Sequence, residues 1–186
     1  MLTVENLQIG YKEGLLTTPI SKKWMKEEVV VLLGDNGVGK STLLKTLAGL
    51  HQPLKGFVEL ETQKIGWVDS SISKGVYLSV DDFLSFGVDS TLEEKQNWLK
   101  KFNLKIELDR FLDELSDGQF RKLCIIRQLL KKPEVLFLDE PTVYLDVSSK
   151  NILIDVIKTL REDCLILCST HDMFFAKEIK TSTLQF

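Results

Sequence analysis

The residues Gly34-Asp35-Asn36-Gly37-Val38-Gly39-Lys40-Ser41-Thr42 carry the spacing Gly-x-x-x-x-Gly-Lys-Ser, which can wrap a phosphate. Glycines let the chain turn tightly enough for successive backbone N–H groups to point inward around an anion. Lys40 then brings a point charge to the β- and γ-phosphates, and the Ser41 hydroxyl is a hard oxygen ligand suited to Mg2+. Farther along the chain two carboxylates are adjacent, Asp139 and Glu140. Their chemistry fits a division of labour: Asp139 supports the metal shell, and Glu140 orients or deprotonates a water aimed at the γ-phosphate. His171 is the third reactive group, reached through Ser169 and Thr170.

These groups need strands and helices to bring them together. Val29-Val-Val-Leu-Leu33 is wholly apolar and predicts a buried parallel strand running into the glycine-rich turn. Leu43, Leu44, Leu47 and Leu50 recur at helical spacing, so the segment from Ser41 to Leu50 is predicted to place a helix N-terminus at the phosphates. Val135-Leu-Phe-Leu predicts a second buried strand with Asp139 and Glu140 at its tip. A hydrophobic strand ending in two carboxylates calls for partners, because burying an unpaired charge is costly. Cys164-Leu-Ile-Leu-Cys168 predicts a third strand that delivers His171; the other histidine, His51, follows no such strand.

Leu115-Ser-Asp-Gly-Gln119 is a second candidate phosphate contact. Ser116 and Gln119 have the spacing of a capping box, so a helix is predicted to start at Asp117 with its free N–H groups facing outward. Gly118 allows close backbone approach. Asp117 is an anion at that terminus and opposes phosphate. Arg121, Lys122 and Arg127 follow on the helix and are expected to form a solvated or ion-paired face.

With these motifs in this order, the chain resembles the ATP-binding-cassette (ABC) transporter ATPases from its first strand to His171. The resemblance implies an α/β fold of P-loop NTPase type, with a RecA-like core, an N-terminal antiparallel β region and a short helical subdomain. It implies a single domain over residues 1–186, with the core at about 1–70 and 120–186 and the helical subdomain at about 71–119. Residue by residue it makes Tyr11 the aromatic that stacks on adenine, Gly34 to Thr42 the Walker A loop and Val135 to Asp139 Walker B. Glu140 becomes the catalytic base, Asp146 the D-loop aspartate and His171 the γ-phosphate sensor. Ser116, Gly118 and Gln119 belong to the signature that contacts ATP held by an opposite subunit. The cofactors so implied are ATP and Mg2+. The stretch from Tyr77 to Gly87 and the signature resemble the iron-siderophore, haem and cobalamin importer branch.

One position departs from the family. The loop after the strand Ile65-Gly-Trp-Val68 ends, in relatives, in a glutamine that touches Mg2+ and reports to the membrane subunit. Aligned without a gap, Ser70 stands there, and Asp69 is a neighbouring hard oxygen donor. Serine is about two bonds shorter than glutamine and lacks its amide, so slow basal hydrolysis and weak coupling are expected. Within the intervening segment, from Ser71 to Leu115, Ser90-x-x-Glu93 is expected to cap a helix carrying Leu92, Trp98, Leu99 and Phe102.

Composition narrows the partners. A chain of 186 residues, 44% hydrophobic and 27% charged, can bury a core without disulfides or structural metal. Net charge of −3 with pI near 5.5 argues against an electrostatic nucleic-acid binder, so no nucleic acid is expected. Cys124, Cys164 and Cys168 lie in apolar contexts without CxxC spacing and are expected to be buried free thiols. The sequence shows neither a signal peptide nor an apolar run of ~18 residues, so a cytoplasmic subunit is expected, peripheral on the inner face of the cell membrane. Its contact with the membrane is expected only through a transmembrane permease subunit. The function so implied is ATP hydrolysis by a head-to-tail homodimer, in the ATP-bound state, that drives transport. The alternatives are a non-transport ABC ATPase and a weakly hydrolysing regulatory subunit. The chain ends soon after His171, which reads as a minimal version of the fold.

Overall fold

The structure, a computed structural model, describes residues 1–11, 14–71, 73–74 and 77–185, without the side chains of Tyr11 and Leu15. The adenine-stacking role expected of Tyr11 therefore lies outside the described residues. In chain order the strands are β1 (Leu2–Gln8), β2 (Gly10–Tyr11), β3 (Gly14–Leu15), β4 (Ile20–Trp24), β5 (Val29–Leu33), β6 (Lys55–Leu60), β7 (Ile65–Val68), β8 (Val135–Asp139), β9 (Leu165–Ser169) and β10 (Ser182–Gln185). The helices are α1 (Lys40–Leu47), α2 (Val80–Ser85), α3 (Leu92–Lys101), α4 (Asp117–Leu130), α5 (Val147–Leu160) and α6 (Met173–Ile179), with one 3-10 turn at Leu112–Glu114.

Five strands form an all-parallel sheet in the order β10-β5-β9-β8-β7. Both faces of that sheet are covered, which is why β5, β8 and β9 read as unbroken apolar runs rather than as alternating ones. Alternate residues nevertheless serve different cores. Val30, Leu32, Phe137 and Leu167 join α1 and the antiparallel β4-β1-β6 sheet on one side. Val29, Val31, Leu136, Leu138 and Ile166 join α4, α5 and α6 on the other. Each such leucine or valine contributes roughly 1.5–3 kcal/mol by burial. The strand order matters for the site because β9 lies between the strand entering the glycine-rich turn and the strand bearing Asp139.

Two predicted boundaries move. Helix α1 stops at Leu47 rather than running to Leu50, because Gly49 takes a left-handed φ of 75°. Helix α3 is capped by Thr91 and Glu94, not by Ser90 and Glu93: the Thr91 hydroxyl accepts from Glu94 N at 3.2 Å, and Thr91 N donates to Glu94 Oε2 at 2.9 Å. Both pairs satisfy the capping pattern. The register one residue later turns Lys95 and Leu99 inward, where Lys95 Nζ donates to Asp81 Oδ1 (2.7 Å) and Ser85 Oγ (2.6 Å) on α2.

Candidate functional site

The glycine-rich turn folds as its composition demands. Gly37 and Gly39 take φ of 82° and 112°, which side-chain-bearing residues seldom adopt, and a Cβ on Gly39 would also lie 3.0 Å from Leu16 Cδ1. Gly39 caps α1 without a side chain, so the first N–H groups of α1 receive no side-chain cap. Lys40 Nζ donates to the carbonyls of Gly34 and Asp35, both at 2.8 Å, and its ammonium is thereby held inside the turn. Leu16, Asn36, Gly37, Gly39, Lys40, Ser41, Thr42, Ser70 and Glu140 line one cavity of about 330 Å³. A neighbouring cavity of about 490 Å³ shares Leu16 and is walled by Thr17, Ile20 and Val38. Leu16 was not singled out in the sequence, where one more leucine beside a strand carries no mark.

At the tip of β8, Asp139 is fully buried, and its Oδ1 accepts from Ser41 Oγ at 2.9 Å and from Ser169 Oγ at 2.5 Å. Its Oδ2 is buried too and has no hydrogen-bond partner. An orphaned carboxylate oxygen beside a serine hydroxyl is a donor pair that suits a hard divalent cation. Ser169 is a contributor that the sequence reading passed over; its place as the last residue of the strand preceding His171 was the available signal. Glu140 leaves the strand in the left-handed region, φ 48°, and its Oε2 lies 2.8 Å from His171 Nδ1. The backbone N–H of His171 donates to the same oxygen at 3.3 Å. The sheet order thus brings Lys40, Ser41, Asp139, Glu140 and His171 to one edge.

Ser70 lines the same cavity, whereas Asp69 does not. Asp69 Oδ1 accepts from Ser71 N (3.0 Å) and Ser71 Oγ (2.8 Å), and Oδ2 accepts from Trp67 Nε1 (3.2 Å) with Lys45 Nζ at 3.8 Å. Burial pushes the Asp69 carboxyl up, but the Ser71 and Trp67 hydrogen bonds and the Lys45 charge together hold it below its ordinary value. Asp69 is thus committed to partners outside the cavity.

The Leu115–Gln119 segment forms its capping box, with Gln119 N donating to Ser116 Oγ at 3.2 Å and Ser116 N to Gln119 Oε1 at 2.9 Å. The charge of Asp117 is met by Lys74 Nζ at 2.8 Å, which also donates to Leu115 O at 2.6 Å. The anion that opposed phosphate in the sequence therefore carries its own counter-ion. Gly118 is required inside the chain as well as at its surface, since a Cβ there would lie 2.8 Å from Tyr144 O. Asp146 caps α5 through Ser149 N at 2.7 Å, and Lys122 Nζ lies 3.6 Å from its other oxygen. The Ser149 hydrogen bonds, more than Lys122, lower the Asp146 pKa.

Of the solvated or ion-paired face expected of α4, Lys122 makes an ion pair, with Asp146, whereas Arg121 departs from it. Arg121 is wholly buried, and its guanidinium donates to the carbonyls of Asp69, Asp139, Glu140 and Pro141. Lys122 is buried against Asp146. Arg127 stacks over Phe83, 4.8 Å from the ring centre, and donates to Phe86 O at 2.9 Å. Burial pushes the Cys124 thiol up to about 11 and Cys164 to about 12, and Cys168 well above its usual value, so all three are neutral thiols at physiological pH.

Comparison with known proteins agrees with this geometry. Residues 17–143 match the family profile described as ABC transporter. The ergothioneine transport ATP-binding protein EgtV of Helicobacter pylori is 31% identical across all of this chain and 96% of its own length. The zinc import ATP-binding protein ZnuC 1 of Aliivibrio fischeri is 29% identical over 93% of this chain and 70% of its own. In fold, a solved ATP-binding subunit of an ABC transporter superposes on the whole chain with a TM-score of 0.89 at 23% identity, covering 85% of that structure.

Proposed function

Because this chain belongs to the ABC transporter family, we propose that Gly34 to Thr42 hold the phosphates of ATP, that Glu140 activates the water that cleaves it, and that two copies pair head to tail around two nucleotides. The chain is a transporter ATP-binding subunit, and its activity is ATP hydrolysis coupled to transport. The observation carrying the assignment of roles is the convergence of Lys40, Ser41, Ser70 and Glu140 on one cavity.

Lys40 and the N–H groups of the turn neutralise the β- and γ-phosphates, a stabilisation that grows as charge moves toward the leaving ADP. Ser41 and Asp139 are the residues that fit Mg2+, through the Ser41 hydroxyl and the orphaned Asp139 Oδ2, with Ser70 beside them. When bound, that ion supplies charge neutralisation across the phosphate oxygens. Ser169 fixes the Asp139 rotamer by donating to its other oxygen. Glu140 accepts a proton from the attacking water as the water oxygen bonds to the γ-phosphorus and the bond to the ADP oxygen breaks. His171 orients the Glu140 carboxylate through its 2.8 Å contact.

Ser116, Gly118 and Gln119 lie at the start of α4 and meet the nucleotide of a second copy, because two-fold pairing of one chain makes both interfaces alike. The described residues include no helix long and apolar enough to cross a membrane. The membrane-spanning part is assigned to a separate permease subunit, with this chain peripheral on the cytoplasmic face. The relatives named above are a zinc import and an ergothioneine transport protein. Their cargoes differ while the nucleotide site recurs, which supports cargo recognition outside this chain.

A pair of variants tests the composite site. Ser116→Arg is expected to bind ATP as a monomer and to lose ATP-dependent dimerisation on size-exclusion chromatography. Mixed with Lys40→Ala, it regains one intact site per heterodimer, and an ATP-dependent dimer returns. A mixture of folded subunits that never dimerises with ATP rejects the in-trans arrangement.

A further inference from the structure

Among the described residues the Arg121 guanidinium makes no ion pair with a carboxylate; it is fully buried and spends its donors on main-chain carbonyls. Nη2 donates to Asp139 O (3.0 Å) and Glu140 O (2.5 Å), Nε to Pro141 O (3.3 Å), and Nη1 to Asp69 O. Carbonyls of successive residues in a strand point to opposite sides. For those of residues 139, 140 and 141 to converge on one cation, the chain must leave strand geometry within that span. It does so at Glu140, the residue with φ 48°. A non-glycine residue keeps such a φ only where its surroundings over-determine it. Glu140 N donates to Ser169 O at 3.0 Å and Val143 N to Glu140 O at 3.3 Å, while among the described residues Arg121 is the one side chain that binds the carbonyls of 139, 140 and 141 together; the same fork reaches Asp69, next to Ser70 in the cavity.

We propose that Arg121 is a positioning residue for ATP hydrolysis: by gripping the main chain on either side of Glu140, it fixes the left-handed turn that aims the Glu140 carboxylate into the nucleotide cavity. Ser116, at the N-terminus of the same helix, is thereby fastened to the Glu140 turn through one side chain. The proposal rests on the ATPase reading given above. Arginine is required because its planar fork presents separate donors in fixed directions, whereas the lysine ammonium is a point on a flexible stem. None of the four carbonyls belongs to the phosphate-binding turn, so loss of the grip costs turnover more than nucleotide affinity.

The test compares wild type, Arg121→Gln and Arg121→Lys in the full chain, reading thermal unfolding, Mg-ATP affinity by calorimetry, and kcat and KM by phosphate release. For Arg121→Gln we expect ATP affinity within about 3-fold of wild type and a kcat at least about 10-fold lower, since misplacement by an ångström costs up to about 10²-fold. Arg121→Lys recovers part of that kcat, because it keeps the charge and can reach some of the carbonyls. A folded variant with wild-type kcat, or a loss of affinity in step with kcat, overturns the proposal. If Arg121→Gln fails to fold, Arg121→Lys decides alone by the same kcat criterion; if neither folds, Arg121 is general structure and the specific role is rejected. Wild-type protein that binds Mg-ATP but releases no phosphate would instead overturn the ATPase reading itself, an outcome separate from those.

Discussion

His171 Nδ1 stands 2.8 Å from Glu140 Oε2, and the two residues come from adjacent parallel strands, β9 and β8. Neither side chain could hold that geometry from its own strand alone. Glu140 is largely buried at 15% side-chain exposure, whereas His171 is open at 63%. The exposed imidazole thus stands on the solvent side of the carboxylate.

That relationship predicts a kinetic split. His171→Ala removes the imidazole beside Glu140 and leaves the phosphate turn intact, so ATP affinity should stay within about 3-fold while kcat falls about 10²-fold, the scale of a disturbed general base. Calorimetry and phosphate release measure the two quantities separately. Turnover within about twofold of wild type would make the contact incidental.

Ser70 gives a gain-of-function prediction. Its side chain reaches the cavity shared by Lys40, Ser41 and Glu140 but is too short to bridge metal and partner. Ser70→Gln should raise the steady-state ATPase rate of the isolated subunit at saturating Mg2+. A flat or lower rate in protein that still binds ATP would refute Ser70 as the limiting position.

Asp172 supplies a stability prediction with a definite pH sign. It caps α6 through Phe175 N at 3.0 Å and pairs with Lys150 at 2.7 Å. Burial pushes its carboxyl up, yet the Lys150 contact and the helix N–H bonds together hold it below its ordinary value. A depressed folded pKa means stability that is present above the unfolded value, about 3.9, and lost as pH falls through the folded one. Asp172→Asn keeps the cap and loses the Lys150 attraction, at most about 1 kcal/mol, so it should lower the melting temperature by no more than about 2–4 °C at pH 7. The gap to wild type should narrow as pH falls below about 3.9 toward the lowered folded value. Equal gaps at both pH values would mean that the cost comes from packing.

How far these features could be read from sequence depends on how local their causes are. The run Val29–Leu33, the turn Gly34–Ser41 and the Ser116–Gln119 cap are each decided by neighbours within a few residues, and all three appear where expected. The order β10-β5-β9-β8-β7 is set by which apolar faces pack together, and sequence spacing is silent on it. Arg121 was misjudged because its partners are carbonyls at 69 and 139–141, which every residue type possesses. A signal did exist: Arg121, Ile125 and Leu129 recur at i, i+4, i+8, and both apolar members are buried. A charged residue in register with a core stripe belongs to the core. Thr91 was missed for a different reason, since Ser90–Glu93 and Thr91–Glu94 satisfy the same pattern and only inward packing of Lys95 and Leu99 separates them.

The central claim is that Glu140 is the water-activating carboxylate of a site closed by a second copy of the chain. Glu140→Gln preserves the size of the side chain and its fit beside His171 while removing the base. With Mg-ATP the variant should bind nucleotide with near wild-type affinity, hydrolyse it at least about 10²-fold more slowly, and elute from size-exclusion chromatography as a dimer that disappears when ADP replaces ATP. Undiminished phosphate release by the folded variant would contradict the claim.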